Sequence, residues 1–196
     1  MIETIGFFIA GVVAAFIGVI AGGGGVLSLG VMLLAGLPLN TAIATGRIGG
    51  LFATGSGLVQ YHRASKVDWK LGLMLAVPGV AGALLGSLLL VYLNTRTTEL
   101  IISMILIATI PLVLFNKNLG LIERVSSSQH KLLGGALYFL LSIVVGLFGV
   151  GTGPIGIVII AGLFGKTYTK AVATNIVAWL LMSIIATVVY VFGGLP

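Results

Sequence analysis

The sequence predicts an all-α integral membrane protein built from two repeats, each with glycine-broken or re-entrant helices. Three observations carry that prediction. The 196 residues are 59% hydrophobic and only 7% charged, whereas a soluble domain carries roughly a quarter charged residues. The apolar residues run in continuous blocks, without the alternation of a membrane β-barrel strand, so the spans are helical. A four-glycine run, Gly22 to Gly25, is echoed by a second cluster at Gly151 to Gly153.

Composition also excludes several chemistries. There is no cysteine, which removes disulfides, thiolate catalysis and zinc–sulfur sites. His62 and His130 are the two histidines and both sit in polar loops, so no metal site is expected. No paired carboxylates and no nucleophile–base pair are visible, and "GGGGVLS" lacks the lysine of a P-loop. The chain therefore reads as a non-enzyme without a cofactor. The net charge of +6 is spread through loops between spans, as the positive-inside bias produces, and does not indicate nucleic acid. The opening "MIETIGFFIA" has an acid and no basic n-region, so it is not a cleavable signal.

The elements follow in order. No charged side chain occurs from Thr4 to Gly46. A single span needs roughly 20 residues, so the glycine run divides this block. "GLPLNTA" is a turn signal, and an apolar helix follows from Thr41 to Gln60. The polar loop "YHRASKVDWK" ends it. Leu71 to Leu93 is a plain span whose Gly82 and Gly86 have the four-residue spacing of close helix packing. "NTRTTE" connects it to a second plain span, Thr97 to Phe115. "NKNLGLIERVSSSQHK" is the hydrophilic boundary between two halves. Leu132 to Gly165 is again too long for one span and holds "GVGTGPIG" at its centre. After "KTYTK", a last apolar helix runs from Ala171 to Phe192.

An internal repeat organises these elements. Aligning "IGVIAGGGGVLSLG" with "VGLFGVGTGPIGIV" places Gly18 on Gly146, Gly23 on Gly151 and Gly25 on Gly153. With one residue inserted, Gly36 falls on Gly165, and "AIAT" at Ala42–Thr45 falls on "AVAT" at Ala171–Thr174. The expected organisation is a first transmembrane repeat at 1–115, a cytoplasmic loop at 116–131 and a partial second repeat at 132–196. Loops 61–70 and 116–131 both carry excess lysine and arginine, which puts them in the cytoplasm. If each glycine-broken segment goes in and returns, Lys166 and Lys170 also lie inside and the two repeats are inverted. The charge bias favours this path over a full crossing.

Broken helices in a membrane expose backbone groups that cost several kcal/mol each unless buried in protein or lining a cavity. Transporters use such breaks to present helix N-termini to anions. The expected anion site therefore comprises Gly22, Gly23, Gly24, Gly25, Gly151, Thr152 and Gly153, with Ser28 as a further hydroxyl. The helices after each break add Thr45, Thr174 and Asn175. Arg47 is the most deeply placed charge and could bind an anion, or it could snorkel to the interface. Tyr61, Trp69, Tyr168 and Tyr190 read as interfacial anchors.

These stretches, "GVIAGGGGVLSLGVMLLAGLPLNTAIAT" and "GLFGVGTGPIGIVIIAGLFGKTYTKAVATN", resemble the sulfite exporter TauE/SafE family over essentially the whole chain. The resemblance implies a duplicated multi-pass carrier in a prokaryotic inner membrane, moving sulfite, sulfonates or related sulfur-containing or organic anions. It points to Gly22–Gly25 with Thr45, and to Gly151–Gly153 with Thr174. The departures are "VLSLG" where many members have proline, and an expectation of two more spans after "GGLP". The chain is then either a fragment or a reduced form that completes its path as a homo-oligomer. The expected mechanism is alternating access with a small anionic substrate in the lipid bilayer. The alternatives are a channel-like anion pore and a truncated, non-transporting protein that needs a partner.

Overall fold

Apolar blocks that must satisfy every backbone group internally form helices, and the computed structural model describes eight of them. It describes residues 2–22, 24–115, 120–123, 125–149 and 151–193. In chain order the helices are α1 (Ile2–Ala21), α2 (Gly24–Leu34), α3 (Leu39–Arg63), α4 (Trp69–Tyr92), α5 (Thr95–Phe115), α6 (Ser128–Leu147), α7 (Gly153–Leu163) and α8 (Tyr168–Phe192). By length and composition α4, α6 and α8 can each cross a membrane. Gly23 lies outside the described residues. α6 starts at Ser128, before the Leu132 expected from the sequence, where Ser127 accepts a bond from the His130 N–H.

Both glycine clusters interrupt helices. α1 and α6 each have 20 residues, α2 and α7 each have 11, and α3 and α8 each have 25. The same interval separates Gly24 from Gly153 at the starts of α2 and α7, and Leu39 from Tyr168 at the starts of α3 and α8. It also separates Gly22 from Gly151 and Gly36 from Gly165, all four with positive φ.

The α6–α7 hairpin leaves and returns to one end of the bundle. The Tyr168 N–H donates to the Gly120 carbonyl at 2.8 Å, and the Ser126 hydroxyl donates to the Leu163 carbonyl. Lys166 meets Asp68 at 2.7 Å and Lys170 meets Glu123 at 3.0 Å. The loops before α4 and α6 and the turn before α8 therefore share one face. In the first arm, the Tyr61 hydroxyl donates to the Val19 carbonyl at 3.3 Å, which sets the end of α1 beside the end of α3. α2 then runs back to the start of α3.

α4 packs most extensively, against α6 and α8. Its small residues permit this. A Cβ on Gly86 would stand 1.9 Å from the Ile143 carbonyl oxygen, and one on Gly82 would stand 2.0 Å from Ser142 Oγ. The four-residue glycine spacing thus serves helix packing, as its sequence pattern suggests. The core between these helices holds Leu75, Ala83, Tyr138, Val145, Ile160 and Met182.

Two predictions follow from this packing. Gly86→Leu should destabilise the protein by about 3 kcal/mol or more through overpacking against backbone, while Gly135→Ala, with nothing within 4 Å of the new Cβ, should be neutral or slightly stabilising. Thermal unfolding in detergent, followed by circular dichroism, separates the two. The second concerns Asp68. Partial burial raises its pKa, but the hydrogen bond from Lys166, the Leu71 N–H and the charges of Lys166 and Lys170 outweigh this and hold it below the usual carboxylate value. A depressed carboxylate pKa gives stability that is present at neutral pH and is lost as pH falls through the lowered value. Asp68→Asn should remove that acid-side loss at a cost of about 1 kcal/mol or less at neutral pH, measured as melting temperature against pH.

Candidate functional site

The two breaks meet. A Cβ on Gly153 would stand 2.2 Å from the Gly22 carbonyl oxygen, so no side chain fits between the arms. Gly22 also needs its φ of 74°, a backbone conformation that glycine adopts without penalty. The first glycines of α2 and α7, Gly24 and Gly153, both line a cavity of about 230 Å³. Helix N-termini carry roughly half a positive charge each and leave their first N–H groups without intrahelical partners. Thr152, the residue before α7, makes no capping bond through its side chain.

Arg47 is the charge at this cavity. It is 4% exposed, so it is buried and does not snorkel. Its Nη2 donates to the Val145 carbonyl, and it lies 3.5 Å from the Tyr190 hydroxyl. Its Nη1 lies 3.5 Å from Ser183 Oγ. The Tyr190 hydroxyl donates to the Gly146 and Leu147 carbonyls, the latter at 2.9 Å. These are the last carbonyls of α6, which lack intrahelical partners. Arg47 therefore caps the broken end of α6. The guanidinium carbon also lies 5.9 Å from the Trp179 ring centroid and 5.8 Å from that of Tyr190. Gly149, with φ 65°, leaves the room: a Cβ there would stand 2.3 Å from Arg47 Nη1.

No carboxylate pairs with Arg47 among the described residues. The two recorded ion pairs are those of Asp68 and Glu123 at the bundle end. Two buried N–H donors of the cavity lining have no partner among the described residues, Arg47 Nε and Trp179 Nε1. Asn175, 5% exposed, accepts a 2.8 Å bond from the Tyr138 hydroxyl through Oδ1, which orients its amide with Nδ2 still available as a donor. The side chains of the cavity wall thus include unsatisfied donors and no carboxylate, a pattern that suits an oxyanion.

Of the residues expected from the sequence, Gly22, Gly24, Gly25, Thr45, Arg47, Gly153 and Asn175 line this cavity. Gly151, Thr152 and Thr174 are buried but stand outside the lining. Thr174 Oγ1 accepts the Asp68 N–H at 3.2 Å, so it ties α8 to the start of α4. Ser28 lines the cavity, yet its hydroxyl donates to the Gly25 carbonyl at 3.1 Å. Trp179, Ser183 and Gly149 line the cavity without having been singled out. Tyr190 is 2% exposed and is no interfacial anchor. Trp69 and Tyr168, by contrast, are exposed. Only the offset from Arg47 to a partner helix could have revealed Trp179, and that offset is tertiary.

The family described as sulfite exporter TauE/SafE matches residues 7–196. A probable membrane transporter protein, ORF9, of a Sinorhizobium species is 34% identical over 158 residues, which is 79% of this chain and 60% of the relative. A probable membrane transporter protein of Haemophilus influenzae is 26% identical over 187 residues, covering 95% of this chain and 73% of the relative. YdhB of Bacillus subtilis, also a probable membrane transporter protein, is 26% identical over 170 residues, covering 83% and 68%. The matched region thus spans only about 60% of the first of these relatives. No solved structure matches the chain.

The site makes one prediction of its own. Gly149→Ala should displace the Arg47 guanidinium and add about 1–2 kcal/mol of backbone strain at a left-handed position. The expected outcome is a lower melting temperature together with altered Trp179 fluorescence, read in a Trp69→Phe background.

Proposed function

The chain belongs to the sulfite exporter TauE/SafE family, and from that premise we propose that it works as a multi-pass carrier of small anions by alternating access. The observation that carries the reading is Arg47, buried without a carboxylate partner among the described residues and lining a cavity with unsatisfied N–H donors. A buried charge left unpaired costs several kcal/mol. A bound anion would complete the site. The cavity of about 230 Å³ is below the range of roughly 300–1,000 Å³ typical of drug-sized ligands, which favours a small substrate. Sulfite, sulfonates and related organic anions fit this chemistry.

In this reading Gly24, Gly25 and Gly153, at the starts of α2 and α7, present backbone N–H groups, and Arg47, Asn175 and Trp179 supply side-chain donors. The matching helix lengths and the constant interval between the arms support a duplication, with 132–196 as a partial second repeat. Each arm returns to the start of the helix that follows it, and the loop after α3 shares a face with the start of α8, which supports an inverted relation. Rocking of one arm against the other would expose the site alternately to each side. The basic loops would face the cytoplasm of a prokaryotic cell, with the chain in its plasma membrane. The exposed apolar faces of α1 and α3, including Phe8, Phe16, Ile48 and Phe52, meet lipid or a second copy.

The test is anion flux in proteoliposomes. Wild-type protein should show saturable uptake of labelled sulfite or a sulfonate, and Arg47→Gln should reduce it at least tenfold. Uptake that does not saturate would identify a pore, and Arg47→Gln flux equal to wild type would remove the proposed site.

A further inference from the structure

Two elements constrain the amide oxygen of Asn175 where that residue lines the cavity. On one side Tyr138 of α6 donates its hydroxyl to Oδ1 at 2.8 Å. On the other, Gly156 of α7 leaves the space that Oδ1 fills, since a Cβ there would stand 2.6 Å from it. Tyr138 is 1% exposed and is not part of the cavity lining. Its ring lies in the core beside Gly79 of α4, where an added Cβ would stand 3.7 Å from Tyr138 Cε1. Among the described residues Asn175 is the one hydrogen-bond partner of the Tyr138 hydroxyl.

An amide can be turned end for end with little change of shape, so space alone does not decide which end meets the cavity. The phenol decides it. A buried O–H needs an acceptor, and Oδ1 supplies one. With the amide reversed, Nδ2 would face the phenol oxygen, and the Tyr138 proton would be left without an acceptor in an apolar core, which is costly. Tyr138 therefore holds Oδ1 toward the core and leaves Nδ2 as the end that a ligand meets.

We infer, resting on the carrier reading, that Tyr138 is a positioning residue that sets the specificity of the site. It makes Asn175 present a donor only. The site then selects an anion whose oxygens are all acceptors over one of the same charge and shape that carries a hydroxyl. Arg47 responds to charge, whereas the Tyr138–Asn175 pair responds to the protonation state of the bound group. An O–H on the ligand would meet Nδ2 as donor against donor, and one hydrogen bond of the site would be lost. Tyr138 exerts this from outside the cavity, without touching the ligand.

Titrations in lipid nanodiscs test this, with Trp179 fluorescence as the signal in a Trp69→Phe parent. The probes are methanesulfonate, and methylphosphonate at a pH below its second ionisation. Both are then tetrahedral monoanions of nearly equal size, and only the phosphonate carries a hydroxyl. The parent should bind methanesulfonate about tenfold more tightly than the phosphonate. Tyr138→Phe keeps the ring and removes only the hydroxyl. It should cut that ratio about fivefold, chiefly by binding the phosphonate more tightly. Gly156→Ala, which displaces Oδ1 and leaves Tyr138 in place, should cut the ratio too, and it decides the question if Tyr138→Phe does not fold. A tyrosine with a purely structural role would weaken both anions alike and leave the ratio unchanged. An unchanged ratio in the folded variant, or equal binding of the two anions by the parent, overturns the inference and leaves the carrier reading standing. Binding of neither anion by the parent removes the carrier reading and the inference with it.

Discussion

The protein's centre depends on one contact, the buried Arg47 guanidinium against the last carbonyls of α6. A helix that stops inside a membrane leaves carbonyls without partners, and each would be costly in hydrocarbon. Arg47 answers Val145, and Tyr190 answers Gly146 and Leu147. The reverse also holds. The C-terminal end of α6 carries roughly half a negative charge, so it stabilises a cation that would otherwise stand alone. At the joined breaks the N-termini of α2 and α7 offset the C-termini of α1 and α6, so the arginine's positive charge is what remains in that space. The break in α6 and the charge on α3 are thus two halves of one electrostatic arrangement.

Close backbone approach makes this geometry possible. Gly22 against Gly153 brings the two breaks into contact, and Gly149 admits the guanidinium. The glycines of the four-residue run act first by letting one arm touch the other. The view that they simply clear room for a ligand is incomplete, because at Gly22, Gly24 and Gly153 the space is filled by neighbouring backbone. The surrounding framework is firmer. α4 is locked against α6 and α8 by Gly82 and Gly86, and the far end of α7 is held by Lys166 on Asp68. The proposed carrier would need such a contrast between a fixed frame and a joint that can open.

Much of the fold was legible from pattern alone. Continuous apolar blocks gave the helices, and glycine clusters gave their breaks, because backbone hydrogen bonding in a membrane leaves few alternatives. Helix ends were legible to within a few residues, the last helix beginning at Tyr168 and not at Ala171. The site was legible in part. Arg47 stood out as a charge far inside an apolar segment, and Asn175 by its place after the second "AT" element. Thr174 belonged to the same element yet points to Asp68, on the other side of α8 from the cavity lining. Adjacent positions on a helix lie about 100° apart, so one serves the cavity and the other the bundle end.

By itself the sequence determined that this is a helical membrane protein with two interrupted segments and a charge placed where hydrocarbon should be. Those properties follow from local chemistry, from which residues tolerate lipid and which bend a helix. Only the tertiary structure decided what Arg47 touches, that Trp179 and Asn175 share its cavity, and that Tyr190 is buried. It also decided that the two breaks touch at Gly22 and Gly153. These depend on which faces of α3, α6 and α8 meet, and helices with so little amphipathic asymmetry leave that choice to small residues packing against distant backbone.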